Sequence, residues 1–600
     1  MASNEQPQNP NEAKNNNISR FPGANPSAAS AQPSTSIPNT NVKTGEQGYI
    51  APGEKYPTTA PGSSEAPYDL SGLGNWNYYF VLKLALFWRG NIGFHTLENL
   101  AFAAFLLISF SSKIGRAFKA ISAFVMGIAL FYYDTYLPPI RRAVSQFDAL
   151  KDFSFEYYVE LAMRYISLEF IALAFLLYIA VQYADRFFRT SVIVFCTLVV
   201  LAYGTLFPSE KPLIEGEPTL NGLPFDMGDT ATGGFSANST VSLDEALNDF
   251  YAIERKRKVP FSPAPTSASP FDVLILNICS LSWDDLHYTG LHQHPVLGQF
   301  DIMLSNFSSA ASYSGPAAIR LMRSSCGQGS HSDLYKTVGD ECFLMDNLVD
   351  MGYERELFMN HDGNFDNFLP LLNREGHFTE KPIDTTGVDI AQYSFDGTPI
   401  LSDLSSLNLW LQKRNDNDAE RVVAYYNSIS LHDGNRLAGE QSNLNSLENF
   451  HPRMTTILTE LDLFFEQLKS SNRRVMVVMV PEHGAAARGD AMQAAAFREI
   501  PSPTIAHIPV GIRFFGPEYN QILPQNIEVK RPASHLAVSH FIASAIKQDP
   551  YQTEFKLETL LSGMPETNFV AENDGAIVVK KGREYFVKFE GADWMPYPSN

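Results

Sequence analysis

Six hundred residues exceed what one hydrophobic core supports, so several modules are expected. A formal charge of −20 excludes a nucleic-acid binder, which needs a basic surface. The hydrophobic content of 45% is ordinary as an average and hides a strong asymmetry along the chain.

Residues 1–72 are rich in Asn, Pro, Ser, Ala, Thr and Gln and nearly devoid of large apolar side chains. Such a segment cannot bury enough surface to offset its ordering entropy, so a disordered cytoplasmic tail is expected. It has no apolar signal-peptide core and does not read as a cleaved leader. From Trp76 the composition changes, and five apolar helices are expected at 77–94, 97–111, 117–137, 166–184 and 190–207. They make residues 73–207 a helical membrane domain of about five spans. Lys83 and Arg89 interrupt the first stretch, and the gap holding His95 and Glu98 is short. A four-span arrangement with 77–111 partly re-entrant is the alternative.

Lys113, Arg116 and Lys119, and then Arg186 and Arg189, mark two loops as cytoplasmic. Five spans from an inner N-terminus leave everything after Pro208 outside, in the periplasm. Arg141, Arg142, Lys151 and Arg164 oppose this, but the 138–165 segment is amphipathic and aromatic and is expected in the headgroup plane.

Residues 208–270 read as a periplasmic tether with one helix, opened by the capping box Ser242-Leu-Asp-Glu245 and closed by the basic run Arg255-Lys-Arg-Lys258. Residues 271–600 alternate buried strands with helices and predict an α/β domain with a mainly parallel central sheet. Strands are expected at 272–278, 421–427, 475–480 and 508–515, helices from Trp283 and over 448–470, and a hairpin at 576–589.

Outside the membrane the cysteines meet an oxidising compartment. Cys326 and Cys342 are close in sequence and in polar surroundings, so they are expected to form a disulfide contributing about 3 kcal/mol. Cys196 lies within the fifth apolar stretch and reads as a packing residue. Cys279 is left unpaired at the carboxyl end of a strand, where open α/β sheets place their ligands. Glu482 and His483 end another strand, and all three are metal-ligand types. An inert buried thiol and a simple strand-ending turn are the alternatives.

Ser314 precedes Gly315-Pro316-Ala-Ala-Ile-Arg-Leu, a helix start whose free N–H groups suit a phosphate. A metal would lower its hydroxyl pKa and make it a nucleophile, whereas an ordinary N-cap serine is the plain alternative. His432, in Leu-His-Asp-Gly-Asn, is a candidate proton donor or phosphoryl ligand. Arg498 is a candidate for bidentate phosphate binding, with Arg488 competing. His331 and His361 also lie in polar loops, with no role argued for them.

Together, Asn277-Ile-Cys-Ser-Leu-Ser-Trp283, Ser312-Tyr-Ser-Gly-Pro-Ala-Ala-Ile-Arg320, Ser325-Cys-Gly-Gln328, Leu431-His-Asp-Gly-Asn435, Pro481-Glu-His-Gly484, Arg498-Glu-Ile-Pro-Ser-Pro503 and Asp593-Trp-Met-Pro-Tyr-Pro598 carry a resemblance. From Trp76 onward the chain resembles the membrane phosphoethanolamine transferases of the alkaline-phosphatase superfamily, in the family that serves bacterial cellulose biosynthesis. The resemblance implies an alkaline-phosphatase-like periplasmic domain and an inner-membrane enzyme. It implies Ser314 as nucleophile, and Zn2+ on Cys279, Glu482, His483 and the Ser314 oxygen. Tyr313, His432 and Arg498 would line the phosphoryl site, and Cys326–Cys342 would be the family disulfide. Implied partners are phosphatidylethanolamine, nascent cellulose, membrane lipids and the cellulose synthase complex. The broader transferases carry Thr where Ser314 stands, an acidic ligand at Cys279 and Asp-His at Glu482-His483, and these departures match the cellulose family. A thiolate ligand favours zinc over manganese or magnesium. The competing expectations are another transferase or hydrolase of the superfamily, and a non-catalytic scaffold of the synthase complex.

Overall fold

The protein is described from a computed structural model over residues 72–89, 92–135, 155–165, 168–206, 234–236, 241–439, 445–520, 522 and 524–598. The expected disordered tail up to residue 71, the 138–154 part of the amphipathic segment and most of the tether lie outside the described residues.

Apolar helices occupy all five expected places: Trp76–Trp88, Thr96–Leu107, Lys113–Asp134, Leu168–Ala184 and Thr190–Leu206. Four of them have 13, 12, 17 and 17 residues. At 1.5 Å per residue they reach about 18–26 Å, short of a hydrocarbon core of about 30 Å. Among the described helices, only Lys113–Asp134, with 22 residues, is long and apolar enough to cross a membrane. The helix lengths therefore do not confirm five spans. Lys83, which interrupts the first apolar stretch, is buried 2.5 Å from Asp134 at the end of the third. Asn99 bridges the pair, accepting from Lys83 at 2.8 Å and donating to Asp134 at 2.7 Å.

In chain order the strands are β1 (Asp272–Ile278), β2 (Ile302–Ser308), β3 (Glu354–Met359), β4 (Ile390–Tyr393), β5 (Pro399–Leu401), β6 (Val422–Ser428) and β7 (Arg436–Leu437). They continue as β8 (Val475–Met479), β9 (His507–Phe515), β10 (Ile527–Val529), β11 (Val570–Asn573), β12 (Ala576–Lys581), β13 (Glu584–Phe589) and β14 (Met595–Pro596). The main sheet has the order β10-β2-β9-β8-β1-β6-β3. Neighbours β8, β1, β6 and β3 run parallel, as do β10 and β2. The sheet is nevertheless mixed, because β9 runs antiparallel to both β2 and β8. A largely apolar run such as 508–515, interrupted only by Arg513, specifies two buried faces and carries no signal for direction.

Side chains alternate across β1. Val273 and Ile275 face a layer built on helices Ser314–Met322, Leu344–Asp350 and His535–Gln548, through Leu321, Leu348 and Phe541. Leu274 and Leu276 face helices Asp403–Asn415 and Phe450–Ser471, through Trp410 and Leu458. The result is a three-layer α/β/α sandwich whose central strands are buried on both sides. The hairpin of β12 and β13 joins β11 and β14 in a second sheet. Helix Leu243–Glu254, capped by the Ser242 hydroxyl, packs on it through Leu247, Phe250 and Tyr251. Cys326 and Cys342 form the expected disulfide.

Candidate active site

Three adjacent parallel strands end at one edge of the sheet, and each delivers a polar group there. Register pairs Leu276 of β1 with Met479 of β8, and Asn277 with Asn427 of β6. Cys279 follows β1 directly, with Ser280 in the left-handed region at φ 62° turning the chain away. Glu482 and His483 follow β8 after Val480 and Pro481. The glycine closing that turn is required by space, because a Cβ on Gly484 would come 2.5 Å from Ser282 Oγ. Ser314 is the first residue of its helix rather than the cap, which is Tyr313.

These elements bring Cys279, Glu482, His483 and Ser314 together. Cys279 Sγ is 3.5 Å from Ser314 Oγ and 3.9 Å from His483 Nε2. Ser314 Oγ is 3.4 Å from His483 Nε2, which is 3.9 Å from Glu482 Oε2. Tetrahedral zinc with bonds of about 2.0–2.3 Å separates its ligand atoms by about 3.3–3.8 Å. The donor set therefore has nearly the right spacing already. Glu482 Oε2 is buried without a hydrogen bond, an arrangement that is costly unless something else satisfies it. His483 Nδ1 is 2.9 Å from the Gly484 carbonyl and donates to it, which leaves Nε2 bare toward Cys279 and Ser314 and able to ligate. The residues fit zinc, with the thiol selecting it over harder ions.

Burial disfavours the charged form of each group. It pushes the Cys279 thiol to about 12, helped by the charge of Glu482, and raises the Glu482 carboxyl. It also drops the His483 imidazole well below its usual value, with Arg498 acting in the same direction. A buried divalent cation would reverse the first two effects, so loading must release protons.

The flanking residues divide by what they touch. Arg498 Nη1 donates to Ser280 at 3.1 Å, so its guanidinium stands over the turn that carries Cys279. Its carbonyl accepts from Ser312 Oγ at 2.6 Å and from Asn573 at 2.9 Å, which anchors the arginine loop to the second sheet. Arg488 instead pairs with Asp284, Nε donating at 2.9 Å. The Tyr313 hydroxyl donates to Glu499 at 2.5 Å, and its ring lies under Arg498. His432 Nδ1 donates to the Asp433 carbonyl at 2.7 Å, and the ring packs near Phe365 and Phe395. Burial and the nearby Arg498 hold His432 at about 4, so it is neutral at neutral pH. The backbone N–H of His331 donates to Glu572, away from the donor set.

Two supports were missed in the sequence. Asn427 Nδ2 donates to Glu482 Oε1 at 2.7 Å, and Asn427 Oδ1 accepts from His361 Nε2 at 2.7 Å. This orienting chain behind the glutamate gives His361 a part. Asn427 ends an apolar strand and looked like its terminus, although a buried amide beside a strand-end ligand is itself a signal.

The second is a clamp from outside the α/β domain. Helix Phe155–Tyr165 inserts Tyr157, Glu160 and Arg164 beside the 431–436 loop. Arg164 grips both oxygens of Asp433, at 2.7 and 2.9 Å, and Tyr157 donates to Asp433 at 2.7 Å. Glu160 accepts from Arg164 and from Arg436, both at 2.7 Å. These contacts hold the Asp433 carboxyl far below the usual carboxylate range, mainly through Arg164 against the effect of burial. Phe155, Val159 and Met163, on another face of the same helix, are exposed.

Comparison with known proteins places the chain. Residues 76–203 match the model described as "Cellulose biosynthesis protein BcsG N-terminal domain", and residues 230–594 match its C-terminal domain counterpart. The chain belongs to the BcsG family. "Cellulose biosynthesis protein BcsG" of Escherichia coli (strain K12) is 38% identical over 545 residues, spanning 88% of this chain and 96% of that protein. Its counterpart in Salmonella typhimurium (strain LT2) is 37% identical over 550 residues, with the same two shares. Among solved structures, a protein in the alkaline phosphatase superfamily from Vibrio parahaemolyticus aligns with TM-score 0.42 at 14% identity, over 59% of this chain and 88% of that one.

Proposed function

We propose that this chain transfers phosphoethanolamine from phosphatidylethanolamine to the glucose 6-hydroxyl of nascent cellulose, through a phosphoethanolamine ester on Ser314. The observation that carries the reading is the convergence of Cys279, Glu482 and His483 on Ser314 Oγ at the opening of a helix. The name of the BcsG relatives supports cellulose as acceptor. The seven motifs support the phosphoethanolamine donor and the superfamily. The domain limits we adopt are a cytoplasmic tail to residue 72, a membrane domain over 73–207, a tether over 208–270 and a periplasmic catalytic domain from 271. The exposed stripe of Phe155, Val159 and Met163 is assigned to the headgroup plane of the inner membrane.

Zinc on Cys279, Glu482 and His483 supplies, when bound, the positive charge that lowers the Ser314 hydroxyl pKa. Ser314 Oγ gives up its proton to solvent on ionising and attacks phosphorus, the bond to the diacylglycerol oxygen breaks, and diacylglycerol takes a proton as it leaves. The helix N-terminus and the Arg498 guanidinium stabilise the phosphoryl oxygens as charge shifts among them. In the second half-reaction the 6-hydroxyl of a glucose residue attacks the phosphoserine ester and Ser314 departs. His432, neutral with its Nδ1 tied to the Asp433 carbonyl, is suited to take the proton of that hydroxyl at Nε2. In the first half-reaction the bound phosphate raises the proton affinity of His432, so that it serves there as the acid.

The test is intact mass of the purified full chain after incubation with phosphatidylethanolamine. A single phosphoethanolamine adduct on Ser314, lost in Ser314→Ala, is expected. Turnover to free phosphoethanolamine without glycan-bound product would make the protein a hydrolase. Unchanged cellulose modification by Ser314→Ala would sink the proposal.

A further inference from the structure

A cavity of about 400 Å³ lies at the far end of the Ser314–Met322 helix, bounded by the Cys326–Cys342 disulfide and the start of helix His535–Gln548. None of Cys279, Ser314, Glu482 or His483 lines it. Arg320 does, six residues beyond Ser314 and so about 9 Å further along the helix axis. Its side chain is only 5% exposed. Nη1 donates to the Gly329 carbonyl at 3.0 Å, but Nε and Nη2 are buried without a hydrogen-bond partner. Those two nitrogens form the edge of the guanidinium that grips an oxyanion through parallel bonds.

Among the described residues no carboxylate neutralises this charge, and the cavity's own carboxylates are committed elsewhere. Glu254 pairs with Arg257 and accepts from the Gln328 N–H, Asp333 pairs with Lys336, and Glu341 pairs with Lys258. A buried, unpaired guanidinium is costly, and a protein retains one where a counter-charge arrives from outside. His535 supplies a second orphan. It is 5% exposed, lines the same cavity, and its Nδ1 is buried without a partner. The Arg320 charge acts against protonation of His535, so the two side chains are electrostatic neighbours. His535 also opens a helix of 14 residues, whose positive dipole end adds to the same field.

We propose that this cavity is a second, non-catalytic phosphate site, in which one phosphate group takes Arg320 Nε and Nη2 side-on and the Nδ1–H of His535. Three unpartnered donors bordering one cavity suit a tetrahedral oxyanion better than a planar carboxylate, and the volume of about 400 Å³ leaves room for an ester substituent. The occupant is either free phosphate or a phospholipid headgroup.

The test uses the full chain in detergent, with melting followed against inorganic phosphate and, separately, in nanodiscs with and without phosphatidylglycerol. Wild type and the active-site variant Arg498→Gln should each gain a few degrees at about a hundredfold excess over Kd. Arg320→Met should lose that gain while melting no lower than wild type in phosphate-free buffer, because an uncompensated buried charge is gone. His535→Phe should weaken phosphate binding about tenfold, the loss of one hydrogen bond to a charged group. A gain with inorganic phosphate identifies the free ion, and a gain with phosphatidylglycerol alone identifies a headgroup. No gain in either medium, or an equal gain in Arg320→Met, overturns the site. Should Arg320→Met not fold, equilibrium dialysis of Arg498→Gln decides: one phosphate retained per chain supports the site and none refutes it.

Discussion

The clamp between helix Phe155–Tyr165 and the His432 loop makes a quantitative prediction. Arg164 and Asp433 are 5% and 11% exposed at their side chains, so water screens their pairing little. Arg164→Met removes two charge-assisted bonds to Asp433, one to Glu160 and one to the Ser446 hydroxyl, and leaves Asp433 buried with Tyr157 and Ser446 as remaining donors. Breaking a buried ion pair from one side costs about 3–5 kcal/mol, most of it the price of stranding the other charge. Asp433→Asn keeps the shape and should cost about 2–3 kcal/mol. The double variant should cost far less than the sum, with a coupling of roughly 2 kcal/mol or more. The assay is a double-mutant cycle from denaturant unfolding of the full chain in detergent, read beside the rate of Ser314 loading. That rate should fall in both single variants, because His432 is tied to the Asp433 carbonyl. Additive costs, or single costs below about 0.5 kcal/mol, would mean that the helix merely rests on the loop and refute the clamp.

Other outcomes follow from the same structure. Asn427→Ala should leave the fold intact but weaken zinc binding about 10–100-fold by competitive chelation, since Glu482 Oε1 loses its orienting donor. Cys342→Ser should lower stability by about 3 kcal/mol under oxidising conditions and match reduced wild type. His507 is held at about 3 by burial, with Lys580 adding to the effect, against about 6.5 in the unfolded chain. Its depressed folded value means that the stability it contributes is complete above pH ~6.5 and declines as pH falls toward 3, by at most about tenfold in the folding equilibrium per pH unit. His507→Gln should flatten that acid limb in a pH series of melts.

How much was legible depends on the reach of each interaction. The strands 272–278, 422–428 and 475–479 announce themselves as long apolar runs, and Cys279, Glu482 and His483 stand just past their ends. β2 and β3 were not legible, because Ser305, Asn306, Glu354 and Glu356 break the apolar pattern at positions that tertiary partners satisfy. Asn306, for example, donates to the Lys530 carbonyl at 3.1 Å. The antiparallel course of β9 is a property of its neighbours, not of its own residues. Arg164 looked like a charge opposing the expected topology. Its partner Asp433 lies 269 residues away, and a separation of that size leaves no local trace. The first two apolar stretches were overread at their carboxyl ends: the first helix stops at Trp88, just before Arg89, and the second at Leu107.

The order β8-β1-β6 has one more consequence. Strand spacing of about 4.8 Å, fixed by backbone hydrogen bonds, already sets the distances between the groups that follow those strands. The sheet itself brings the donor cluster together, so the domain should fold to the same arrangement whether or not an ion is supplied. Chelation should then stop loading of Ser314 while leaving the melting transition of the α/β domain in place.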